Sequence, residues 1–166
     1  MTTLLIGSGN SHDKRVWFPE SPNTEFGDLV TLDLRDADVN HDLDELPYPF
    51  RDEAFDEVHA YEVLEHCGSQ GDGEFFFGQF NEFYRILKPG GFMVITVPMW
   101  NSEVAFGVPD HKRVLPISIF GFLTEGHYEN VGKPGYADYR HLIKGFWKAA
   151  YRQEMGDSQA VVLRKV

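Results

Sequence analysis

The fold is decided near the start of the chain, by the stretch Thr3-Leu4-Leu5-Ile6-Gly7-Ser8-Gly9. Its apolar run predicts a buried strand, and its two glycines predict a tight loop directly after that strand. The next apolar run, Asp28–Leu34, predicts a second strand with Asp33 near its end. A glycine loop after the first strand and an acid ending the second are typical of nucleotide-binding α/β domains. Glycine amides can approach the ligand closely there, and the carboxylate accepts hydrogen bonds from ribose hydroxyls.

The centre of the chain predicts a strand–helix–strand unit. Phe55–Tyr61 alternates as a strand does, and Gly73–Leu87 places its apolar residues on one helical face. The segment Lys88-Pro89-Gly90-Gly91 predicts the end of that helix, capped by glycine and proline. Phe92–Pro98 then predicts a buried central strand.

The end of the chain predicts an antiparallel hairpin made of Gly145–Arg152 and Gln159–Lys165. The whole pattern predicts one α/β domain over residues 1–166, Rossmann-like, with a mostly parallel central sheet and this C-terminal hairpin. The stretch between Asp33 and Val39 is too short for a crossover helix, since such connections need about a dozen residues. We therefore expect a sheet that is pared down on that side.

Composition and charge exclude several classes of protein. The 166 residues carry a net charge of -11, and residues 1–66 hold 16 acids against 4 bases. A nucleic-acid binder needs a basic face, so this balance argues against a duplex nucleic-acid acceptor. The single Cys67 excludes a disulfide framework. No apolar run is long enough to span a bilayer and the start lacks a signal-peptide pattern, so we expect a cytoplasmic protein without a membrane partner.

Six short motifs occur in an order that resembles the class I S-adenosylmethionine-dependent methyltransferases. They are Ile6-Gly7-Ser8-Gly9, Leu32-Asp33, Asp42-Leu43, Leu46-Pro47-x-Pro49-Phe50 with Phe55-Asp56, Glu62-Val63-Leu64-Glu65-His66 and Leu87-Lys88-Pro89-Gly90-Gly91. Each motif is unspecific by itself, but their common order over residues 4–100 is specific. The closest similarity is to a small subgroup that carries the V-L-E-H and L-K-P-G-G motifs. The resemblance implies a minimal class I methyltransferase fold, S-adenosylmethionine as the cofactor and methyl transfer as the reaction.

The resemblance also implies a set of cofactor-binding residues. They are Gly7, Ser8, Gly9, Asp33, Leu34, Asp42, Leu43, Tyr61 and Glu62. The glycine loop would lie under the methionine and ribose parts, the first acid would bind ribose, the second acid would face adenine, and the last two residues would flank the methionine moiety. The sequence departs from the family at Leu5, where an acid usually helps to hold the methionine amino group.

Three residues are candidates for the catalytic base: Glu65, His66 and His111. Histidine titrates near neutral pH, and His66 follows the fourth strand, close to the expected position of the methyl group. The alternatives stay open that His66 orders its loop by bonding to the backbone and that His111 lies in a surface turn.

The acceptor side is expected to include Trp100, Asn101 and Arg113, the last as a guanidinium fork for an anionic acceptor. The chain starts at its first strand, without the N-terminal helices that cover the acceptor in many relatives. We therefore expect an open site that takes a large acceptor or is completed by a second copy of the chain. Tyr61-Glu62-Val63-Leu64 stands where base-amino DNA methyltransferases carry an N/D-P-P-Y/F motif, which argues against that acceptor class.

No metal site is predicted, since His59, His66 and Cys67 do not share one face of a strand or helix. The sequence thus predicts methyl transfer to an oxygen or nitrogen of a small or larger acceptor that is not a nucleic acid. A catalytically silent S-adenosylmethionine-binding or assembly subunit is the alternative, which Leu5 favours. A nicotinamide oxidoreductase is disfavoured, because His12 replaces the third glycine of the dinucleotide fingerprint.

Overall fold

The structure, a computed structural model, describes all 166 residues and contains one seven-stranded sheet. The strands are β1 (Thr2–Ile6), β2 (Asp28–Asp33), β3 (Val39–Asn40), β4 (Phe55–Tyr61), β5 (Leu87–Pro98), β6 (Trp147–Met155) and β7 (Ser158–Lys165). Their order in the sheet is β3-β2-β1-β4-β5-β7-β6. The first five strands are parallel, and β7 runs antiparallel to both β5 and β6. The predicted fold class, with its C-terminal hairpin, is confirmed.

The chain has one long helix, α1, and several short ones. The α-helices are α1 (Gly73–Ile86), α2 (Glu103–Gly107) and α3 (Glu125–Tyr128), and the 3-10 segments are Leu64–His66, Ile117–Leu123 and Arg140–Leu142. Asp72 begins α1 by accepting a hydrogen bond from the amide of Phe75 at 3.0 Å. None of the helices combines the length and apolar character that crossing a bilayer requires.

The prediction that Lys88-Pro89-Gly90-Gly91 caps α1 was wrong, although the predicted end of the helix was right. The backbone becomes extended at Leu87 and passes directly into β5, so the four residues lie within that strand. The pairing of β4 with β5 is irregular at this point. A Cβ atom on Gly91 would lie 2.8 Å from the carbonyl oxygen of Asp56, so the glycine permits close strand approach rather than a helix cap.

The connections β1–β2 and β2–β3 contain no helix, as expected for a pared-down sheet. Because β1, β2, β4 and β5 are parallel, their carboxyl ends share one edge of the sheet. The segments that start at this edge are residues 7–27 after β1, 34–38 after β2, 62–72 after β4 and 99–146 after β5. Ligands of open α/β sheets bind at this kind of edge.

The sheet has two unequal faces. The helix face packs against α1 and the later 3-10 segments and contains a cluster of 25 buried apolar residues, with Phe80 and Phe83 of α1 at its centre. The loop face is covered by residues 7–27, and Tyr151 of β6 stacks against Phe18 of this segment. Its cluster has seven buried members, which are Leu5, Val16, Phe18, Tyr61, Val94, Ala160 and Val162.

Buried polar side chains fasten residues 7–27 to the loop face. Glu57, His59 and Tyr61 alternate along β4 and point to this face, where the His59 ring bonds to Glu57 at 2.8 Å and to the Tyr61 hydroxyl at 2.5 Å. From the covering loop, the ammonium group of Lys14 lies 3.6 Å from Glu57 and donates to Ser21 at 2.8 Å. A chain of buried polar contacts therefore holds a segment that has few apolar anchors.

Candidate active site

The glycine loop and Asp33 meet at the carboxyl ends of β1 and β2. The amide of Gly9 donates to Oδ2 of Asp33 at 2.9 Å, and the amide of Leu34 donates to Oδ1 at 2.6 Å. A carboxylate oxygen has two lone pairs, so both oxygens keep acceptor capacity after these bonds. The predicted ribose-binding acid is thus held in one orientation by backbone amides while it can still accept from a ligand.

Gly7 and Gly9 both have positive φ, of 61° and 51°, as the sequence predicts for a tight ligand loop. They differ in what surrounds them. A Cβ atom on Gly7 would overlap the side chain of Val63, so this glycine allows the loop to pack against the segment after β4. A Cβ atom on Gly9 would meet nothing within 4 Å, so this glycine borders open space. Between them, Ser8 is buried and its hydroxyl has no hydrogen-bond partner.

The second predicted acid, Asp42, is exposed in the turn after β3. Its carboxylate accepts a hydrogen bond from the amide of Asp44 at 2.9 Å. The neighbouring Leu43 is buried in the core of the helix face, and its carbonyl accepts from the Tyr48 hydroxyl at 3.1 Å. Only Asp42 of this pair therefore offers a free polar side chain, and its role toward adenine stays a prediction.

The two residues predicted to flank methionine differ sharply. Tyr61 is buried on the loop face, where its hydroxyl bonds to His59 and accepts from the amide of Arg15, and burial raises the pKa of the phenol to about 12. Its side chain is therefore engaged on the loop face, so a contact of Tyr61 with the methionine part would come from its backbone, and that contact stays a prediction. Glu62 has a φ of 51°, strained for a residue with a side chain, and its Oε1 is buried without a partner. Strain of this kind concentrates at functional positions.

The structure brings together the three candidates for the catalytic base. Oε1 of Glu65 lies 4.0 Å from Nε2 of His111, and the rings of His66 and His111 pack edge to face with centroids 4.7 Å apart. The carbonyl of Glu65 accepts from the amide of Lys112 at 2.8 Å, which ties the segment after β5 to the 3-10 turn after β4. His66 and His111, distant in sequence, thus share one site.

Glu65 is buried and the side chain of His111 is 7% exposed, and both have polar atoms left unpaired. Glu65 is only 2% exposed, and neither of its carboxylate oxygens has a hydrogen-bond partner. Burial raises the pKa of Glu65 to about 8, and the nearby Glu62 adds to the rise. Nδ1 of His111 is likewise buried without a partner. Orphaned groups of this type are rare in folded proteins and call for a physical reason, such as a catalytic role or a bound water or ion.

The sequence prediction missed Asp110, which contacts the exposed side of this group. Its Oδ2 lies 3.3 Å from Nδ1 of His66, and its carbonyl oxygen lies 3.2 Å from the same nitrogen. A proton on Nδ1 leaves Nε2 of His66 with a free lone pair. The place of Asp110 directly before His111 was the available signal.

The expectation that Arg113 binds an anionic acceptor is corrected by its position. The residue is 5% exposed, and its guanidinium donates to the carbonyl of Leu64 at 2.8 Å and to Gln79 of α1. The guanidinium also lies 5.5 Å from the centroid of the Phe75 ring. Burial lowers the pKa of Arg113. Arg113 therefore links the 3-10 turn after β4 to α1, and the exposed Lys112 pairs with Asp44 at 2.8 Å instead.

The predicted acceptor residues Trp100 and Asn101 are exposed in the segment after β5. Trp100 is 57% exposed, and Phe106 of α2, in the same segment, is 73% exposed. A separate cleft of about 180 Å³ opens between the start of α1 and the segment after β5. Its apolar and aromatic lining residues are Phe76, Phe77, Leu115, Ile119, Phe122 and Tyr139. The predicted acceptor segment thus exposes apolar side chains, and the buried Arg113 is the basic residue that lines the cleft.

The chain is similar to known methyltransferases in sequence over one segment and in fold throughout. Residues 21–95 match the family model described as a methyltransferase domain. No curated protein sequence matches the chain. The family match covers less than half of the chain and agrees with the predicted methyltransferase class.

Solved structures share the fold of the whole chain at low identity. A SAM-dependent methyltransferase from Aquifex aeolicus has 13% identity and a TM-score of 0.58, with 100% of this chain and 82% of that one covered. The N-methyltransferase NodS from Bradyrhizobium japonicum, in complex with S-adenosyl-L-homocysteine, has 14% identity and a TM-score of 0.54, over 99% and 77% of the chains. A methyltransferase from Haloferax volcanii in complex with the activator Trm112 has 17% identity and a TM-score of 0.53, over 99% and 82%.

Proposed function

We propose that this chain is a methyltransferase, a single domain over residues 1–166, that transfers the methyl group of S-adenosylmethionine to an oxygen or nitrogen of an acceptor that is not a nucleic acid. One observation carries the proposal. The Gly9–Asp33 pair and the Glu65–His66–His111 group follow neighbouring strands along one edge of the sheet. The first supplies hydrogen-bonding groups of the kind that hold a nucleoside, and the second supplies groups that handle a proton.

The cofactor part works by positioning. When bound, S-adenosylmethionine supplies a methyl group activated by its sulfonium. Asp33 would accept from the ribose hydroxyls, and the open space beside Gly9 would admit the cofactor against the loop backbone. Glu62, with an unpaired buried oxygen, is the side chain available to the methionine ammonium, which is notable because Leu5 occupies the position of the usual acid. Leu5 itself is buried in the apolar cluster of the loop face.

The acceptor part must align a nucleophile with the methyl carbon and accept its proton. As the new bond to carbon forms, the bond from carbon to sulfur breaks and the acceptor loses a proton. Glu65, His66 and His111 offer basic atoms in one place for that proton. Exposed Trp100 and Phe106 favour an acceptor with an apolar part, and the acidic first half of the chain disfavours a polyanion.

The experiment is turnover with a panel of acceptors, followed as formation of S-adenosylhomocysteine. The panel holds small phenols, amines and carboxylic acids and one duplex DNA, and we expect product with at least one small class and none with DNA. His111→Gln should lower the rate for the accepted class and leave cofactor binding unchanged, while the exposed His141→Gln serves as the matched control. Product with DNA alone would contradict the proposal.

The alternative is a cofactor-binding or assembly subunit without turnover, which the apolar Leu5 favours. The Haloferax volcanii neighbour bound to its activator shows that a protein of this fold can work with a partner. Binding of S-adenosylhomocysteine without turnover of any acceptor, by a chain in which His111→Gln changes nothing, would support the alternative.

A further inference from the structure

The Glu65–His66–His111 group has the composition of a metal site, although the sequence predicted none. Its carboxylate and imidazole ligand atoms all lie within 4.8 Å of one another. Neighbouring ligand atoms of a four- or six-coordinate ion lie about 2.8–3.6 Å apart, because its bonds measure about 2.0–2.2 Å. Small rotations of the three side chains would therefore bring them around one ion.

Unpaired buried atoms point to an occupant. Both oxygens of Glu65 and Nδ1 of His111 are buried without a hydrogen-bond partner. An orphaned buried polar group destabilises the fold, more so if it is charged, so such groups persist where something pairs them.

The third member of the group, His66, is oriented so that one ring nitrogen is free to bind a metal ion. The contacts of Asp110 with Nδ1 of His66 keep the proton on that nitrogen and leave Nε2 free. A carboxylate that fixes the tautomer of a histidine is the usual outer partner in protein metal sites. His66 is also the most exposed member of the group, with 34% of its side chain accessible, so an ion can enter from its side.

We propose that Glu65, His66 and His111 bind one divalent first-row transition-metal ion at the carboxyl end of β4. Two imidazole nitrogens and one carboxylate suit Zn²⁺, Co²⁺, Mn²⁺ or Fe²⁺ better than Mg²⁺, which prefers oxygen ligands alone. Three protein ligands leave at least one coordination position open.

An open coordination position would let the ion bind the acceptor during methyl transfer, and this inference rests on the proposed function. The group lies at the sheet edge where the acceptor is expected, beside the segment that carries Trp100. A bound cation there would take an oxygen atom of the acceptor, hold it in place and lower the pKa of a hydroxyl, since metals acidify coordinated oxygen. The inferred acceptor class is therefore a hydroxyl- or carboxylate-bearing molecule rather than a simple amine.

The test is titration of the full chain, freed of metal by a chelator and carrying no affinity tag, with Zn²⁺, Co²⁺ or Mg²⁺. We expect one Zn²⁺ per chain, with Mg²⁺ much weaker. Glu65→Gln, His66→Gln and His111→Gln should each weaken Zn²⁺ binding by more than about tenfold, because loss of an outer partner alone costs about 10–100-fold. The exposed His141→Gln is the matched control and should bind Zn²⁺ like the unaltered chain.

Three results would overturn the metal site. The first is the absence of one-to-one Zn²⁺ binding with a dissociation constant below about 100 µM. The second is unchanged Zn²⁺ affinity in the folded His66→Gln and His111→Gln chains. The third is a Co²⁺ spectrum with sulfur bands, which would assign the ion to Cys67. His66 is half-exposed, so His66→Gln keeps the test valid if the buried Glu65→Gln fails to fold. Titration with S-adenosylhomocysteine separates the two proposals, because cofactor binding without Zn²⁺ binding removes only the metal site.

Discussion

The two faces of the sheet are covered by different kinds of structure and held by different kinds of contact. The helix face uses α1 and a cluster of 25 buried apolar residues, whereas the loop face has seven such residues under a segment without helices. The loop face buries fewer apolar residues and is held in addition by the polar contacts among Lys14, Glu57, His59 and Tyr61.

This difference places stability and function in different parts of the molecule. Burial of apolar area is non-directional and roughly additive, so the helix face should set the global free energy of unfolding. The segment that covers the loop face, residues 7–27, begins with Gly7 and Gly9 of the cofactor loop. The polar contacts of this segment should therefore set the position of that loop. Substitutions on the two faces should therefore have different consequences.

The largest expected effect is on the helix face. Phe83→Ala, at a fully buried position, should lower the free energy of unfolding by about 3–5 kcal/mol, the usual cost of deleting a core phenylalanine. Phe18→Ala on the loop face should cost less than half as much, because a segment without helices can collapse into the cavity. Urea unfolding of both variants checks this, and equal losses would remove the distinction between the faces.

The next effect tests the polar contacts. Glu57→Gln leaves the buried ammonium group of Lys14 without its carboxylate, which should cost about 3 kcal/mol. Hydrogen exchange should quicken in residues 10–27 but not in α1, and affinity for S-adenosylhomocysteine should fall. The exposed Glu154→Gln on β6 is the control. Equal protection of residues 10–27 in Glu57→Gln and the unaltered chain would contradict the proposed role of these contacts.

The smallest effect is a pH dependence from His59. Burial lowers the pKa of His59 below its ordinary value of 6.5, although the hydrogen bond to Glu57 opposes the shift. As the pH falls below 6.5, the unfolded chain takes up a proton that the folded chain does not, so stability falls. The slope is at most about 1.4 kcal/mol per pH unit for one proton.

His59→Gln should flatten this part of the profile. Unfolding by urea at about pH 7 and about pH 5.5 measures it in both chains. The pKa of Glu57 is also lowered, by its bonds to His59 and Ser21 against the opposing effect of burial, so its own contribution is lost only on further acidification below 4.5. Identical slopes for the two chains would show that His59 is not the titrating group.

Local features were accessible from the sequence. The strands, α1 and the left-handed Gly7 and Gly9 follow from apolar periodicity and glycine placement, which act over a few residues. The pairing of Gly9 with Asp33 follows from parallel strands whose carboxyl ends meet. The end of α1 near Ile86 could also be predicted locally. That the four residues Lys88–Gly91 form part of a strand could not, because this depends on their pairing with β4.

Contacts between distant segments were not accessible. The sequence predicted that the guanidinium of Arg113 binds an acceptor at the surface, but it is buried and donates to the carbonyl of Leu64 and to Gln79 of α1. Glu57 and His59 read as the polar side of a strand, and only the covering loop with Lys14 buries them. His111 reaches Glu65 because backbone bonds join two loops 46 positions apart, a distance that no local pattern encodes.

The most direct test of the account is calorimetric titration of the unaltered chain and of Asp33→Ala with S-adenosylhomocysteine. The account predicts one binding site in the unaltered chain. Affinity should fall in the folded Asp33→Ala chain by about 2–3 kcal/mol, the range for hydrogen bonds to a charged group. Glu154→Ala should bind like the unaltered chain. No binding by the unaltered chain, or equal binding by folded Asp33→Ala, would contradict the claim that this sheet edge holds the cofactor.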